Sequence, residues 1–396
     1  MKKLEKSVPV IRFKGFSEAW EQRKLGEDVN FLNGRAYSQK ELLDKGKYKV
    51  LRVGNFNTND RWYYSDLELE ENKYANRGDL LYLWATNFGP EIWNQEKVIY
   101  HYHIWKLKIM NINVSKQYLY TWLITDKERI KQSTNGTTMV HVTKGHIEQR
   151  EFQIPPNLTE QQKIGTFFKQ LDDTIALHQR KLDTLKLMKK GFLQQMVTKS
   201  GENIPKIRFD DFDDIWEQRI LGEFLKESKI KGSNGSLAKK LTVKLWRKGV
   251  VPKEEIYTGS SATQYYIRKT GQFMYGKLDF LNQAFGIVPL ELNGYESTLD
   301  SPAFDIEDSL NETFLLEYVS LARFYKYQGN IANGSRRAKR IHTDTFFEMP
   351  IPLPNSNEQQ KIGTFSQQID DLITLQQNKL EKLSSLKRFY LKNMFI

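Results

Sequence analysis

The chain has 396 residues, 39% of them hydrophobic and 13% aromatic, a net charge of +12 and no cysteine. That composition supports packed cores in two to four domains and excludes wholesale disorder. The absent cysteines exclude a disulfide framework and thiolate metal sites, and fit a reducing cytoplasm. Met1-Lys2-Lys3-Leu4-Glu5-Lys6 has no apolar run behind it, so neither a signal peptide nor a membrane-spanning helix is expected.

Residues 1–156 read as a first domain. A lead-in motif, Ile11-Arg12-Phe13…Phe16…Trp20-Glu21-Gln22-Arg23…Leu25-Gly26-Glu27, precedes short β-rich runs at Lys49–Val53, Asp79–Trp84 and Val98–Leu107 and a helical patch at Lys116–Thr125. This is a mixed α/β texture. His101 and His103 fall on one face of the expected strand. Two His with no third ligand make a poor metal site, so their expected role is packing against aromatics, and no metal site is expected. An Asn135-Gly136 turn then opens onto Thr137, Thr138, His141 and Lys144.

Residues 157–200 read as a central helix. Pro155-Pro156 end a strand, and Thr159 with Gln162 has capping-box form. Apolar residues then keep a heptad step through Ile164, Phe168, Leu171, Ile175, His178, Leu182, Leu185, Phe192 and Met196, missing only at Lys189. Residues 201–354 hold a connector (Gly201, Pro205 and the acidic Asp210, Asp211, Asp213 and Asp214) and a second mixed α/β domain. The lead-in motif returns there as Ile207-Arg208-Phe209…Phe212…Trp216-Glu217-Gln218-Arg219…Leu221-Gly222-Glu223.

In this second domain Gly271…Gly276-Lys277 nearly spells a phosphate loop, but Leu278 stands where Ser or Thr should hold magnesium. The matching stretch of the first domain, Gly78-Asp79-Leu80-Leu81-Tyr82-Leu83, is a turn into a strand, and the same reading is expected here. After Asn333-Gly334 come Arg336, Arg337, Lys339 and Arg340 within five residues. Residues 355–396 read as a C-terminal helix: Pro352 and Pro354 end a strand, and Asn357 with Gln360 forms the expected cap. The stripe is Ile362, Ile369, Ile373, Gln376, Leu380, Leu383, Tyr390 and Met394, missing at Ser366 and Lys387.

The octapeptide Glu160–Phe167 recurs unchanged as Glu358–Phe365, 198 residues on. Steps of 3 and 4 sustained this long indicate a coiled-coil seam. About 38 residues at ~1.5 Å each make a helix nearly 60 Å long, whose lone apolar stripe would stay wet. The two helices are expected to cover each other, running antiparallel; the alternative is that each stripe packs on its own domain. In a full antiparallel overlap His178 and Gln376 share the central layer and set register.

Residues 24–155 hold 19 Lys/Arg against 16 Asp/Glu, and residues 220–352 hold 18 against 15, so each insert is only +3. Nucleic-acid binding therefore needs the bases gathered on one face. The loop after Gly334 is either a solvated charge run or a set of phosphate and guanine contacts, Arg suiting guanine and Lys phosphate. No Gly-rich dinucleotide turn, Asn-Pro-Pro-aromatic motif or HExxH is present. The chain is expected to bind rather than catalyse, with no catalytic residues.

The doubled Trp20/Trp216 motifs, the Pro-then-Glu-Gln-Gln-Lys-Ile helix starts and the Asn-Gly turns before them resemble, over nearly the whole chain, a type I restriction–modification specificity subunit. The resemblance implies an α+β fold: two mixed α/β target-recognition domains separated by two long antiparallel helices forming a coiled coil, with a pseudo-twofold internal repeat. It implies double-stranded DNA as a partner, read as a bipartite asymmetric site, together with two methyltransferase and two restriction subunits, in the cytoplasm and away from membranes. S-adenosylmethionine, ATP and magnesium would belong to those subunits, leaving no cofactor in this chain. The DNA-binding residues would be Thr137, Thr138, His141 and Lys144 in the first domain, and Arg336, Arg337, Lys339 and Arg340 in the second. The runner-up is a cytoplasmic coiled-coil scaffold with two protein-binding modules, which would not require the basic loop after Gly334.

Overall fold

A computed structural model describes residues 8–56, 59–85, 87–133, 141–199, 201–254, 260–331, 334–335 and 338–395, with the backbone alone at 331, 334–335 and 338–339. It divides into two units, Met1–Gln179 with Lys379–Ile396, and Arg180–Asn378. This differs from the four consecutive segments expected from sequence. Each long helix is split between units, because its first half is locked to the domain that precedes it.

In the first unit the strand Glu21–Lys24 pairs antiparallel with Glu151–Ile154, which brings the two ends of the α/β insert together. Inside, a four-stranded sheet runs in the order Val29–Asn33, Ile104–Ile109, Leu80–Leu83, Gly89–Ile92. A second sheet joins Tyr63–Ser65, Tyr48–Leu51, Val98–Tyr100 and Tyr74–Ala75. The helix Lys116–Ser133 closes a core containing Trp20, Phe31, Tyr82, Trp122 and Phe152. The single run expected at Val98–Leu107 is two strands, broken by a turn at His101–His103. There the chain passes from one sheet to the other: the His101 N–H donates to Leu51 O, and that of Ile104 to His101 O.

The second unit repeats this plan. Glu217–Ile220 pairs antiparallel with Pro350–Leu353. A four-stranded sheet follows the same order: Leu225–Ser228, Ala303–Ile306, Phe273–Tyr275, Phe285–Ile287. Gly271 (φ +81°) and Gly78 (φ +91°) each make the left-handed turn into corresponding strands of the two sheets. Phe273 and Tyr275 are fully buried in the core, so the phosphate-loop look-alike is a turn and a strand.

The long helices span Leu158–Met196 and Ser356–Met394. Their caps lie two residues before those expected. Asn157 Oδ1 accepts from the N–H groups of Thr159 (2.9 Å) and Glu160 (3.3 Å), and Asn355 Oδ1 accepts from that of Glu358 (3.0 Å). This places Glu160 and Glu358 in the first turn, where both are buried. The Arg12 guanidinium forks onto Glu160 at 2.6 and 2.8 Å, and Arg208 onto Glu358 at 2.8 and 2.8 Å. Trp216 Nε1 adds a bond to Glu358 at 3.1 Å.

The next residue completes the lock. Gln161 donates to Asn113 O and Pro155 O and accepts from the Ser115 N–H. Gln359 donates to Ser309 O and Pro354 O and accepts from the Asn311 N–H. Gly165 is needed for the same approach, since a Cβ there would lie 2.8 Å from Gln117 Cβ. The repeated motifs thus encode one joint, made twice.

Within the first unit the two helical segments run in opposite directions: Phe168 meets Phe395, Phe167 meets Tyr390, and Asp172 meets Lys387 at 2.5 Å. Within the second, Phe192 meets Phe365, and Lys189 meets Asp370 at 2.6 Å. Ile164, Leu171, Leu182, Ile362 and Ile369 are buried. Ile175, His178, Leu185, Ile373, Gln376, Leu380 and Leu383 are half-buried.

The slots missing from the heptad stripe are also turned inward, but they carry polar bonds. Lys189 reaches Glu317 at 2.9 Å, and the buried Ser366 donates to Glu317 at 2.6 Å. Arg247 forks onto the same carboxylate at 2.5 and 2.7 Å. No described helix is long and apolar enough to cross a membrane.

Candidate nucleic-acid interface

Corresponding strands of the two four-stranded sheets end in corresponding edges. In the first unit the Trp84 N–H donates to His103 O (3.2 Å), and Trp84 O accepts from the Val142 N–H (3.0 Å). In the second the Lys277 N–H donates to Asp300 O (2.9 Å), and Lys277 O accepts from the Ile341 N–H (3.0 Å). The backbone therefore equates Trp84 with Lys277, His103 with Asp300, and His141 with Arg340. The side chains share nothing.

The first edge is aromatic. Trp84 donates through Nε1 to Tyr102 O at 2.7 Å. Its ring lies 4.9 Å from that of His103, edge to face, and 6.1 Å from the exposed His141. His103 lies 4.0 Å from Tyr102 and 4.9 Å from His101. His101 also stacks on Tyr37, over which Arg35 sits at 5.2 Å. Burial, then the neighbouring His103 and Arg52, pushes His101 down to about 4; burial, then His141, lowers His103. His101 is therefore neutral at pH 7 and able both to donate and to accept. Among the described residues Arg35 Nη1, Tyr37 Oη and Arg52 Nε are buried without a partner.

The second edge is charged. Arg340 pairs with Asp300 at 3.2 Å, and Lys229 with Glu227 at 2.8 Å. Burial lowers Lys277; Glu227 and Asp300 pull it back up, and Arg340 and Lys229 push it further down. An anion placed beside such an ammonium would raise it again.

Of the residues singled out from sequence, His141 and Arg340 are the two that the structure puts at equivalent positions. Lys144 sits in the first turn of the helix Lys144–Glu148, capped by Thr143 and 3.7 Å from Glu148. Thr137, Thr138, Arg336 and Arg337 lie outside the described residues, as do Asn135, Gly136 and Asn333. Of Lys339 the backbone is described, pairing with Gly334. His101 and His103 do pack among aromatic rings, but from a turn rather than from one face of a strand. Sequence reasoning missed Trp84 and Lys277, although each lies six residues past the aligned Gly78 and Gly271.

A doubled α/β plan with matched, divergent edges defines a protein built from two copies of one domain-and-helix unit. The family model for the type I restriction modification DNA specificity domain matches residues 17–187 and again 216–385, and the chain belongs to that family as a specificity subunit. It is 23% identical over 390 residues to the type I restriction enzyme MjaVIII specificity subunit of Methanocaldococcus jannaschii, covering 94% of this chain and 91% of that one. In fold it is similar to the S subunit of a type I restriction–modification system from M. genitalium (TM-score 0.65, 12% identity, 98% and 99% of the two chains). It is also similar to a chain from a structure that addresses complex assembly and conformational transition of the type I R-M system (TM-score 0.55, 15% identity, 95% and 97%).

Proposed function

We propose that this chain reads a bipartite, asymmetric site in double-stranded DNA, each unit taking one half-site. The observation that supports this is the pair of edges: equivalent backbone at Trp84/His103/His141 and Lys277/Asp300/Arg340, with unrelated side chains. Readers of two different half-sites need a shared frame and different base contacts. The first edge suits apolar and neutral hydrogen-bonding contacts; the second suits phosphate and guanine.

The two long helices serve as an antiparallel coiled-coil spacer with a pseudo-twofold internal repeat. Exposed apolar side chains at corresponding positions, Leu177 and Leu386 in the first unit and Leu375 and Met188 in the second, are the docking surface for two methyltransferase subunits. Two restriction subunits join through them, in the cytoplasm. This chain recognises; the partners hold S-adenosylmethionine, ATP and magnesium and do the chemistry.

Single-molecule methylome sequencing of a host carrying this chain with its methyltransferase tests the reading. A two-part motif of unlike halves and fixed gap is expected. A single continuous motif, or none, overturns it.

A further inference from the structure

A cleft of about 400 Å³ opens in the second unit between the helical segment carrying Lys186 and Lys190 and the residues 317–326. Its lining carries Lys186, Lys189, Lys190, Arg247 and Lys326, with Glu317 as its acidic residue among those described. Two of the cations are already neutralised. Arg247 forks onto Glu317, and Lys189 is shared between Glu317 and Asp370. Lys186, Lys190 and Lys326 are exposed, and among the described residues none has a carboxylate within ion-pair distance.

The rim of the cleft is a strained hairpin between Leu241–Val243 and Val250–Pro252. Trp246 and Arg247 have φ of +58° and +57°, and Gln283, which lines the cleft, has +52°; these are the non-glycine residues with positive φ among those described. Such residues persist only where their surroundings over-determine them. Here the Trp246 N–H donates to Asn282 O (2.8 Å), that of Arg247 to Gln283 O (3.0 Å), and the Arg247 side chain is anchored on buried Glu317. The strain carries the Trp246 indole to the surface, 57% exposed, near Lys244 and Lys248. The same surface adjoins the charged edge. Gly276 N–H donates to Ala284 O, so Lys277 and Gln283 are the two shoulders of one short loop.

We propose that this cleft and hairpin tip grip the sugar–phosphate backbone of the duplex beside the second unit's half-site. Phosphates lie against Lys186, Lys190 and Lys326, and the Trp246 ring lies against a deoxyribose. The assignment rests on the DNA-reading function proposed above. Three unpaired ammonium groups round an open cleft suit phosphates spaced along a strand, and continuity with Lys277 and Arg340 puts that strand on the duplex being read. Contacts of this kind position the protein and carry no sequence information.

The test uses the full complex of this chain with its methyltransferase. Fluorescence anisotropy over a salt series compares a labelled duplex bearing the methylated motif with a scrambled one. Each phosphate contact contributes about 0.9 to the slope of log affinity against log salt, so Lys186→Gln, Lys190→Gln, Lys326→Gln together should flatten it by roughly 2 to 3. Affinity for both duplexes should fall alike, with the methylated motif unchanged, and the triple Arg variant should keep the parent slope. Trp246→Ala should weaken both duplexes several-fold without changing the slope. A triple Gln variant with the parent slope overturns the cleft, whether or not it has lost co-elution with the methyltransferase; such a loss would mark an acidic protein face as the occupant. A parent complex that does not prefer its motif over the scrambled duplex overturns the DNA reading and the cleft with it.

Discussion

The ammonium of Lys189 lies 2.6 Å from the carboxylate of Asp370, closing an ion pair at a position where the apolar stripe of the central helix lapses. Their counterparts 198 residues away, Lys387 and Asp172, close the same pair at 2.5 Å in the first unit. The lapses are thus part of the repeat. In the second unit the lysine also reaches Glu317, which Ser366 and Arg247 bond as well.

That difference makes charge reversal asymmetric. Lys387→Asp removes a partly exposed pair and should cost about 0.5 kcal/mol, recovered by adding Asp172→Lys. Lys189→Asp sets a carboxylate against buried Glu317 and should cost about 3 kcal/mol, and Asp370→Lys should not restore it. Urea midpoints of the four variants measure this. Equal costs, or rescue in both units, would contradict it.

The buried forks should behave as locks. Glu358→Gln leaves Arg208 enclosed without a counter-charge, and should cost about 3–5 kcal/mol. Adding Arg208→Met should recover more than half, because an apolar stem fits where an unpaired charge does not. Hydrogen exchange at residues 356–362 should report the same order. A double variant no more stable than the single would show that the fork is not what holds the helix start.

Glu317 sets an acid limit on the second unit. Burial pushes its carboxyl up, but the hydrogen bonds and charge of Arg247, then Lys189 and Ser366, outweigh this and hold it at about 2. A depressed carboxyl contributes stability above its unfolded value, roughly 4.3, and that contribution is lost as pH falls toward 2. Thermal unfolding of the parent should therefore drop between about pH 4.5 and 2 more steeply than that of Glu317→Gln, which should already be less stable at pH 7. Parallel pH profiles would contradict this.

Changing Arg336, Arg337, Lys339 and Arg340 to Ala should alter only the half-site read by the second unit. Trp84→Ala with His141→Ala should alter only the other. Methylome sequencing of each variant decides. A full, unchanged motif in either case would remove those residues from the reading surface.

The helices were legible because a stripe 3 and 4 residues apart and an identical octapeptide each declare themselves without tertiary context. Their caps were misplaced because Thr159-x-x-Gln162 has the right form, yet the chain leaves extended backbone at Asn157, where a second such pattern, Asn157-x-x-Glu160, lies. The turn at His101–His103 hid inside the run Val98–Trp105, which carries no Gly, Pro, Asn, Asp or Ser to mark a break. The interface was half legible. His141 and Arg340 follow Asn-Gly pairs in the sequence, whereas Trp84 with His103 and Lys277 with Asp300 meet only through pairing of strands remote in sequence, which no local pattern announces.

The joint made by Arg12 with Glu160 and again by Arg208 with Glu358 has an evolutionary consequence. Its helix side is one uninterrupted octapeptide and its domain side one short motif, so a genetic crossover inside that octapeptide delivers a foreign insert already fitted with its own socket. A different insert can then be acquired by exchange of a whole cassette, with no compensating change at the helix start.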